Sequence, residues 1–102
     1  MTAVEPFVAL VIYPTSPDAQ AGQSDALTRA AQEKLRFLPG FLSARIFESE
    51  DGESIVSLVQ WRDREAFERF RQSEAGRAAA VLASGLHPKA YWLRLIAAVE
   101  AS

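Results

Sequence analysis

Few side chains in this sequence could do chemistry, and the sole histidine is one of them. His87 stands between Leu86 and Pro88, in a segment that Gly85 opens. An imidazole titrates near neutral pH and can act as a general base. No acid or nucleophile adjoins it in the sequence to build a relay. His87 is therefore interpreted either as a catalytic base or as a solvated loop residue.

A serine and a tryptophan lie four residues apart in an apolar run. Ser57 and Trp61 occur within Ser54–Trp61, and residues at alternate positions of a strand share a face. A tryptophan can stack on an aromatic ring in a pocket, and a buried hydroxyl needs a hydrogen-bonding partner. Trp61 and Ser57 are therefore candidate substrate-binding residues. The alternatives are a core aromatic and a hydroxyl satisfied by water or backbone.

Composition excludes several classes of site and partner. The chain has no cysteine, which excludes disulfides, thiolate nucleophiles and cysteine-based metal sites. It shows no carboxylate pair in an apolar setting and no glycine-rich phosphate loop. The basic stretch 62–71 is interleaved with acids, and the formal net charge is −2. We therefore expect no nucleic-acid partner, no membrane association and no bound metal.

Targeting signals are also absent from the sequence. The segment Met1–Pro6 lacks the basic-then-apolar order of a signal peptide. The longest apolar runs, Phe7–Tyr13 and Leu93–Val99, are far shorter than a membrane span. A cytoplasmic protein is the expectation.

Hydrophobic periodicity and turn residues predict a β-α-β-β-α-β order of elements. The predicted elements are a strand at Val4–Tyr13, a helix at Asp18–Leu38, strands at Phe41–Glu48 and Ser54–Trp61, a helical region from Asp63 to Ala83 with a break at Gly76, and a last strand at Ala90–Val99. This order is the split β-α-β arrangement of an α+β, ferredoxin-like fold with an antiparallel sheet. Residues 1–102 show no linker or repeat, so we expect one domain.

Asp51-Gly52 between two β-rich runs predicts a hairpin with a two-residue loop. That loop pairs Phe47 with Val56 and Ala44 with Val59. One face of the hairpin then carries Leu42, Ala44, Ile46, Ile55, Ser57, Val59 and Trp61, and the other carries Phe41, Ser43, Arg45, Phe47, Val56, Leu58 and Gln60. In this topology helices cover one face only, and we expect them on the first face. The second face would be a large apolar patch for a monomer, so a homodimer is predicted.

The segment around this hairpin resembles a known family. Pro39-Gly40-Phe41 precedes the hairpin, Gln60-Trp61 closes it, and an aromatic, Phe67, follows six residues after the tryptophan. This series is similar to the antibiotic biosynthesis monooxygenase (ABM) domain family, over about Val4 to Val99. The resemblance implies a ferredoxin-like protomer within a dimeric α/β barrel.

The resemblance also implies site residues. The family's polyketide oxygenases place an Asn four residues before the tryptophan and a Tyr six residues after it. Here these positions hold Ser57 and Phe67, and the chain contains no Asn. The family's haem-degrading members place a His about ten residues after the tryptophan, where this chain has Arg71, so haem degradation is not expected. Trp61, Ser57 and Phe67 are the implied substrate-binding residues.

Three functions are compatible with these residues. The first is a cofactor-independent monooxygenase that uses dioxygen on a small aromatic phenol, quinol or polyketide-like substrate. The second is a non-catalytic module on the same dimeric fold that binds a small ligand or serves assembly. The third is an isomerase or cyclase, which would require His87 to face the pocket. An open cavity at Trp61 and Ser57 would favour the first.

Overall fold

The computed structural model of the protein describes residues 6–102, without the side chains of residues 81–84. Residues 4 and 5 of the first predicted strand lie outside this range. The elements are β1 (Phe7–Pro14), α1 (Gln20–Glu33), a 3-10 turn (Leu35–Phe37), β2 (Phe41–Glu48), β3 (Ser54–Trp61), α2 (Arg64–Gln72), α3 (Glu74–Ser84) and β4 (Lys89–Arg94). The strands form an antiparallel sheet in the order β2-β3-β1-β4. The predicted α+β, ferredoxin-like fold is confirmed.

The hairpin β2–β3 has the predicted register but a longer loop. Phe47 pairs with Val56, and Ala44 pairs with Val59. The two strands close at Ser49, whose amide donates to the Ser54 carbonyl at 3.0 Å, so the loop contains four residues rather than two. Gly52 has a positive φ of 78° and Asp51 does not. The Asp51 carboxylate instead accepts a hydrogen bond from the Glu53 amide at 2.9 Å, which builds a wider turn.

A β-bulge near the start of β2 changes the predicted faces. Phe41 lies opposite Trp61, and the register shifts by one residue before Ser43 lies opposite Gln60. Leu42 is the extra residue and is 54 % exposed. The prediction that Leu42 shares the face of Trp61, with Phe41 on the other face, was therefore wrong. A bulge reverses the alternation of side chains at one point, which places Phe41 beside Trp61.

The two faces of the sheet follow from the three registers. The helix-covered face carries the cross-strand rows Ile46–Ser57–Val11–Ala90, Ala44–Val59–Ala9–Trp92 and Phe41–Trp61–Phe7–Arg94. The open face carries the rows Phe47–Val56–Ile12–Lys89, Arg45–Leu58–Leu10–Tyr91 and Ser43–Gln60–Val8–Leu93. Apart from Phe41 and Leu42, the predicted faces of the hairpin are correct.

The other differences concern where elements end. The predicted helix 18–38 is α1 followed by the 3-10 turn, because the Lys34 backbone leaves the helical region. The predicted break at Gly76 falls at Ser73, whose hydroxyl donates to the Phe70 carbonyl at 2.6 Å and accepts from the Gly76 amide at 3.1 Å. The last strand ends at Arg94 rather than Val99, and residues 95–102 have no regular secondary structure. No helix in residues 6–102 is long and apolar enough to cross a membrane.

Candidate functional site

Trp61 is the centre of an aromatic cluster between the sheet and α2. Its side chain is 1 % exposed. The Trp61 and Phe70 rings stack with centroids 5.2 Å apart, and the Phe41 ring meets Trp61 edge-on at 5.8 Å. Phe67 lies 6.2 Å away at a tilted angle. The candidates Trp61 and Phe67 are therefore brought together in one cluster.

Helix α2 is held over Trp61 by the segment that follows β3. The Arg62 amide donates to the Gly40 carbonyl at 2.7 Å, which anchors the end of β3 to the loop before β2. Asp63 then caps α2, because its carboxylate accepts from the Ala66 amide at 2.8 Å. Ala66 and Phe67 follow on the buried face of α2. This cap fixes the angle at which Phe67 and Phe70 meet the sheet.

The Asp63 cap makes the stability of α2 depend on pH. The hydrogen bond from the Ala66 amide, with a further contribution from Arg62, holds the pKa of Asp63 below its usual value. A lowered folded-state pKa stabilises the fold above the unfolded pKa, which is about 4, and that contribution is lost as pH falls further. We expect Asp63→Asn, which keeps a capping side chain, to lose less stability than the wild type between about pH 5 and pH 3. Urea unfolding at both pH values measures this, and parallel losses would contradict it.

Ser57 lies on the same face as Trp61 but in another row. Val59 separates the two residues along β3, so their Cα atoms are about 13 Å apart. Ser57 is buried, and among the described residues no fully buried side-chain oxygen or nitrogen lacks a hydrogen-bonding partner. Tyr13 is a second buried hydroxyl on this face, two positions along β1 from the partner of Ser57. Burial raises the pKa of Tyr13, so its hydroxyl stays protonated at neutral pH.

His87 lies at the opposite end of the sheet from Trp61. It occupies the turn between α3 and β4, has a positive φ of 52° and is exposed. Lys89 pairs with Ile12, whereas Trp61 pairs with Phe7. Five residues of β1 separate these two positions, or about 17 Å. The fold therefore does not bring His87 to the aromatic cluster.

One cavity of about 210 Å³ touches Trp61. Its walls are Leu38, Pro39, Trp61, Ala66, Arg69, Phe70 and Ser73. It lies on the side of Trp61 that faces α2 and the loop before β2, and neither Ser57 nor Phe67 lines it. Small-molecule pockets usually occupy about 300–1,000 Å³. This cavity therefore suits a part of an aromatic ligand rather than a whole polycyclic one.

Three aromatic residues that the sequence did not mark as site residues extend the cluster. Phe7 stacks on Phe67 at 4.9 Å, and Trp92 meets Phe67 edge-on at 4.9 Å. Phe70 stacks on Trp61 from α2. Phe70 is three residues from Phe67, a spacing that puts both on one helix face and could have indicated it. The positions of Phe7 and Trp92 in the cluster depend on the order of the strands in the sheet, which no local spacing reveals.

Metal-ligating side chains do not cluster in the part of the chain that the structure describes. Within residues 6–102, apart from the side chains of 81–84, no group of three or more His, Asp or Glu side chains is placed to hold a metal ion. The cluster around Trp61 is made of phenyl and indole rings, with charged groups only at its margin. Such an arrangement can bind and desolvate a flat aromatic molecule.

Comparison with known proteins decides the family. The model of the antibiotic biosynthesis monooxygenase family matches residues 6–81 of the 102-residue chain. The chain belongs to this family. The expectation drawn from Pro39-Gly40-Phe41 and Gln60-Trp61 is thereby confirmed.

Several relatives of this family member are known. The tetracenomycin-F1 monooxygenase of Streptomyces glaucescens is 33 % identical over 61 residues, which are 60 % of this chain and 54 % of that protein. The chain thus matches about half the length of this curated relative. The ActVA-Orf6 monooxygenase of Streptomyces coelicolor, solved in complex with nanaomycin D, is 30 % identical with a TM-score of 0.85, over 99 % of this chain and 96 % of that one. Rv0793 of Mycobacterium tuberculosis shares the fold at 23 % identity and a TM-score of 0.71, over 95 % and 99 % of the two chains.

Proposed function

We propose that the protein is a monooxygenase that uses dioxygen on a small aromatic substrate without a bound cofactor. The observation that carries the proposal is the similarity to the ActVA-Orf6 monooxygenase, which extends over almost the whole of both chains. That protein was solved with nanaomycin D. The buried rings around Trp61 supply the kind of surface on which a flat aromatic molecule packs.

The reaction we propose can be written for an anthrone, a tricyclic ketone with one methylene group. Loss of a methylene proton gives a carbanion that is also a phenolate. This anion transfers an electron to dioxygen, and the two radicals combine to form a peroxide anion. The peroxide takes up the proton lost in the first step, and loss of water then leaves a quinone. One dioxygen is consumed, with one oxygen atom in the new carbonyl and the other in water. The substrate supplies all the electrons.

In this reaction the protein orients the ring and excludes water. Trp61 and Phe70 line the cavity and would hold a substrate ring in place, with Phe67 packed behind them, and these rings would keep the anion away from solvent. The Ser57 hydroxyl lies about 13 Å along β3 from Trp61, so it would donate to an oxyanion at the far end of a polycyclic substrate that begins at Trp61. In this proposal Ser57 replaces the donor that Phe67 lacks.

Oxygen uptake tests this proposal. We expect the purified protein, in buffer treated with EDTA, to accelerate oxygen consumption by an anthrone, with one dioxygen consumed per quinone formed. Heat-denatured protein is the control, because anthrones oxidise slowly on their own. Failure to accelerate uptake with anthrones, hydroquinones and dihydroxynaphthalenes would overturn the proposal.

A ligand-binding module is the second candidate. Two observations favour it: Phe67 has no hydroxyl, and the cavity at Trp61 is only about 210 Å³. Such a module would bind the same aromatic compounds and leave oxygen uptake unchanged. Binding without uptake is the result that would select it.

We also propose that the protein works as a homodimer through the open face of its sheet. That face has apolar side chains in all three rows, and Phe47, Tyr91 and Leu93 are exposed on it. Exposed apolar patches of this kind usually mark interaction sites. A second copy of the chain, packed sheet to sheet, would cover them.

Leu58→Asp tests the dimer. Leu58 lies at the middle of the open face, between Arg45 on β2 and Leu10 on β1. A carboxylate there would lose its hydration in a sheet-to-sheet dimer, which is costly even with Arg45 beside it, whereas in a monomer it stays hydrated. We expect wild-type protein to sediment as a dimer and Leu58→Asp to sediment as a folded monomer. Gln72→Asp, at the exposed end of α2, is the control and should remain dimeric. A monomeric wild type would overturn the proposal.

A further inference from the structure

The β4 edge of the aromatic cluster forms a ledge that is open to solvent. We define the aromatic ledge as Phe7, Phe67 and Trp92, which lie on the helix-covered side of the sheet. The Phe67 ring is 4.9 Å from both the Phe7 and the Trp92 ring centroids. Phe67 is buried, whereas Trp92 is 43 % exposed. The ledge therefore ends in an indole that another flat molecule can cover.

Arginines surround this ledge. The Arg71 guanidinium lies 5.6 Å from the Trp92 centroid and 5.7 Å from the Phe67 centroid. The Arg64 guanidinium lies 5.9 Å from the Phe7 centroid. Arg94 shares the face and lies opposite Phe7 in the register. Three cations thus stand at the rim of three rings.

Little negative charge balances these cations. Among residues 6–102, Glu68 is the one carboxylate within 4 Å of any of the three guanidiniums, at 3.8 Å from Arg64 and 3.4 Å from Arg71. Both contacts are long for ion pairs with good geometry. The side chain of Arg71 is 50 % exposed. Its charge is therefore only partly compensated and can still bind an anion.

Arg71 has the geometry to bind a ligand rather than only to cover a ring. A guanidinium lying over an aromatic face keeps its N–H groups in its own plane, where they can donate to a carboxylate or phenolate. A flat ring on the exposed side of Trp92 would place a substituent of that ring near these donors. Rings alone would bind any aromatic compound, whereas the arginine selects an anionic one.

We propose that Arg71 binds the anionic oxygen of a planar aromatic ligand whose ring packs on Trp92. The ligand class is an aromatic carboxylate or an acidic phenol that is ionised at neutral pH. Phe67 separates this surface from Trp61, so the inference does not depend on the site proposed for the substrate ring. Arg71 is a binding and specificity residue, and Arg64 and Arg94 add positive charge at the rim.

Calorimetric titration with two probes tests this inference. The probes are anthraquinone-2-carboxylate and its neutral match, anthraquinone-2-carboxamide. A hydrogen bond to a charged group favours binding by about tenfold or more, so we expect the wild type to bind the carboxylate about tenfold more tightly than the amide. In Arg71→Gln most of this preference should be lost, with a small remainder from Arg64 and Arg94. Arg29→Gln, an exposed arginine on α1, is the matched control and should keep the preference.

Two further measurements separate Arg71 from the rings. Trp92→Leu should weaken both probes by the same factor, because it removes stacking and not charge. Raising salt from 50 to 500 mM should weaken carboxylate binding to the wild type and leave amide binding unchanged, since salt screens an exposed charge. The salt test needs no variant, so it decides the matter even if Arg71→Gln does not fold.

Equal binding of the two probes by the wild type, or a carboxylate preference of undiminished size in Arg71→Gln, would overturn the inference. Binding and turnover are measured separately, so the two proposals can fail separately. A carboxylate preference without oxygen uptake would contradict the monooxygenase and leave the role of Arg71 intact. Oxygen uptake without any carboxylate preference would contradict the role of Arg71 and leave the monooxygenase proposal intact.

Discussion

Replacing Trp61 by alanine is expected to lower the free energy of unfolding by about 3–5 kcal/mol. The side chain is 1 % exposed and contacts rings on both sides, with Phe70 stacked at 5.2 Å and Phe41 edge-on at 5.8 Å. Removing the indole loses the burial of its own surface and leaves a cavity that the β-sheet cannot collapse. Chemical denaturation followed by circular dichroism measures the loss.

Trp92→Ala is the matched control, because it removes the same side chain from an exposed position on the same face. Its indole is 43 % exposed, and its loss should cost less than half as much. A loss of 3–5 kcal/mol is comparable to the whole stability of a small domain, so Trp61→Ala can fail to fold. Trp61→Phe keeps an aromatic ring, so its free energy of unfolding should be lower than that of the wild type and close to that of Trp92→Ala. Equal costs for Trp61→Ala and Trp92→Ala would contradict a central role for Trp61 in the core.

The second large effect is expected from Gly76→Ala. A Cβ at Gly76 would lie 1.9 Å from the Phe70 carbonyl oxygen and 2.8 Å from the Phe70 carbonyl carbon. Both are backbone atoms at the end of α2, so they can move only if α2 or α3 moves. Overpacking of this kind costs about 3 kcal/mol. The shift would also displace Phe70, which stacks on Trp61, so ligand binding should weaken as well.

Gly22→Ala is the matched control for this substitution. Gly22 lies within α1, and a Cβ there would meet no heavy atom within 4 Å. Alanine is the better helix former, so we expect a gain of about 0.5–1 kcal/mol. The two substitutions therefore have opposite expected signs in the same urea titration. A stabilised Gly76→Ala protein would show that α2 and α3 do not approach as closely as described.

The strand pairing could be predicted because it depends on local signals. Asp51-Gly52 and the alternating apolar residues around it set the register of β2 and β3, and the structure has that register. The loop length and the bulge at Leu42 could not be predicted in the same way. Both depend on hydrogen bonds of single side chains or backbone groups. The bulge falls at two consecutive apolar residues, Phe41 and Leu42, so the apolar pattern does not reveal it. For that reason Phe41 was assigned to the wrong face.

The candidate site was predicted only in part for a similar reason. Trp61 and Phe67 meet because α2 begins directly after β3, which the sequence indicates through Asp63. The contribution of Trp92 depends on β4 lying next to β1, which is a property of the whole fold. The three strand registers also place Ser57 and His87. One cross-strand row separates Ser57 from Trp61, and the length of the sheet separates His87 from Trp61, and neither distance can be read from the sequence.

Labelling with heavy dioxygen tests the central claim most directly. An anthrone would be oxidised by the protein under ¹⁸O₂ in ordinary water, with EDTA present, and the quinone analysed by mass spectrometry within a few turnovers. A monooxygenase of the proposed kind is expected to put one ¹⁸O atom into each quinone, at a rate that requires folded protein. Unlabelled quinone, or labelled quinone formed at the same rate without protein, would contradict the account.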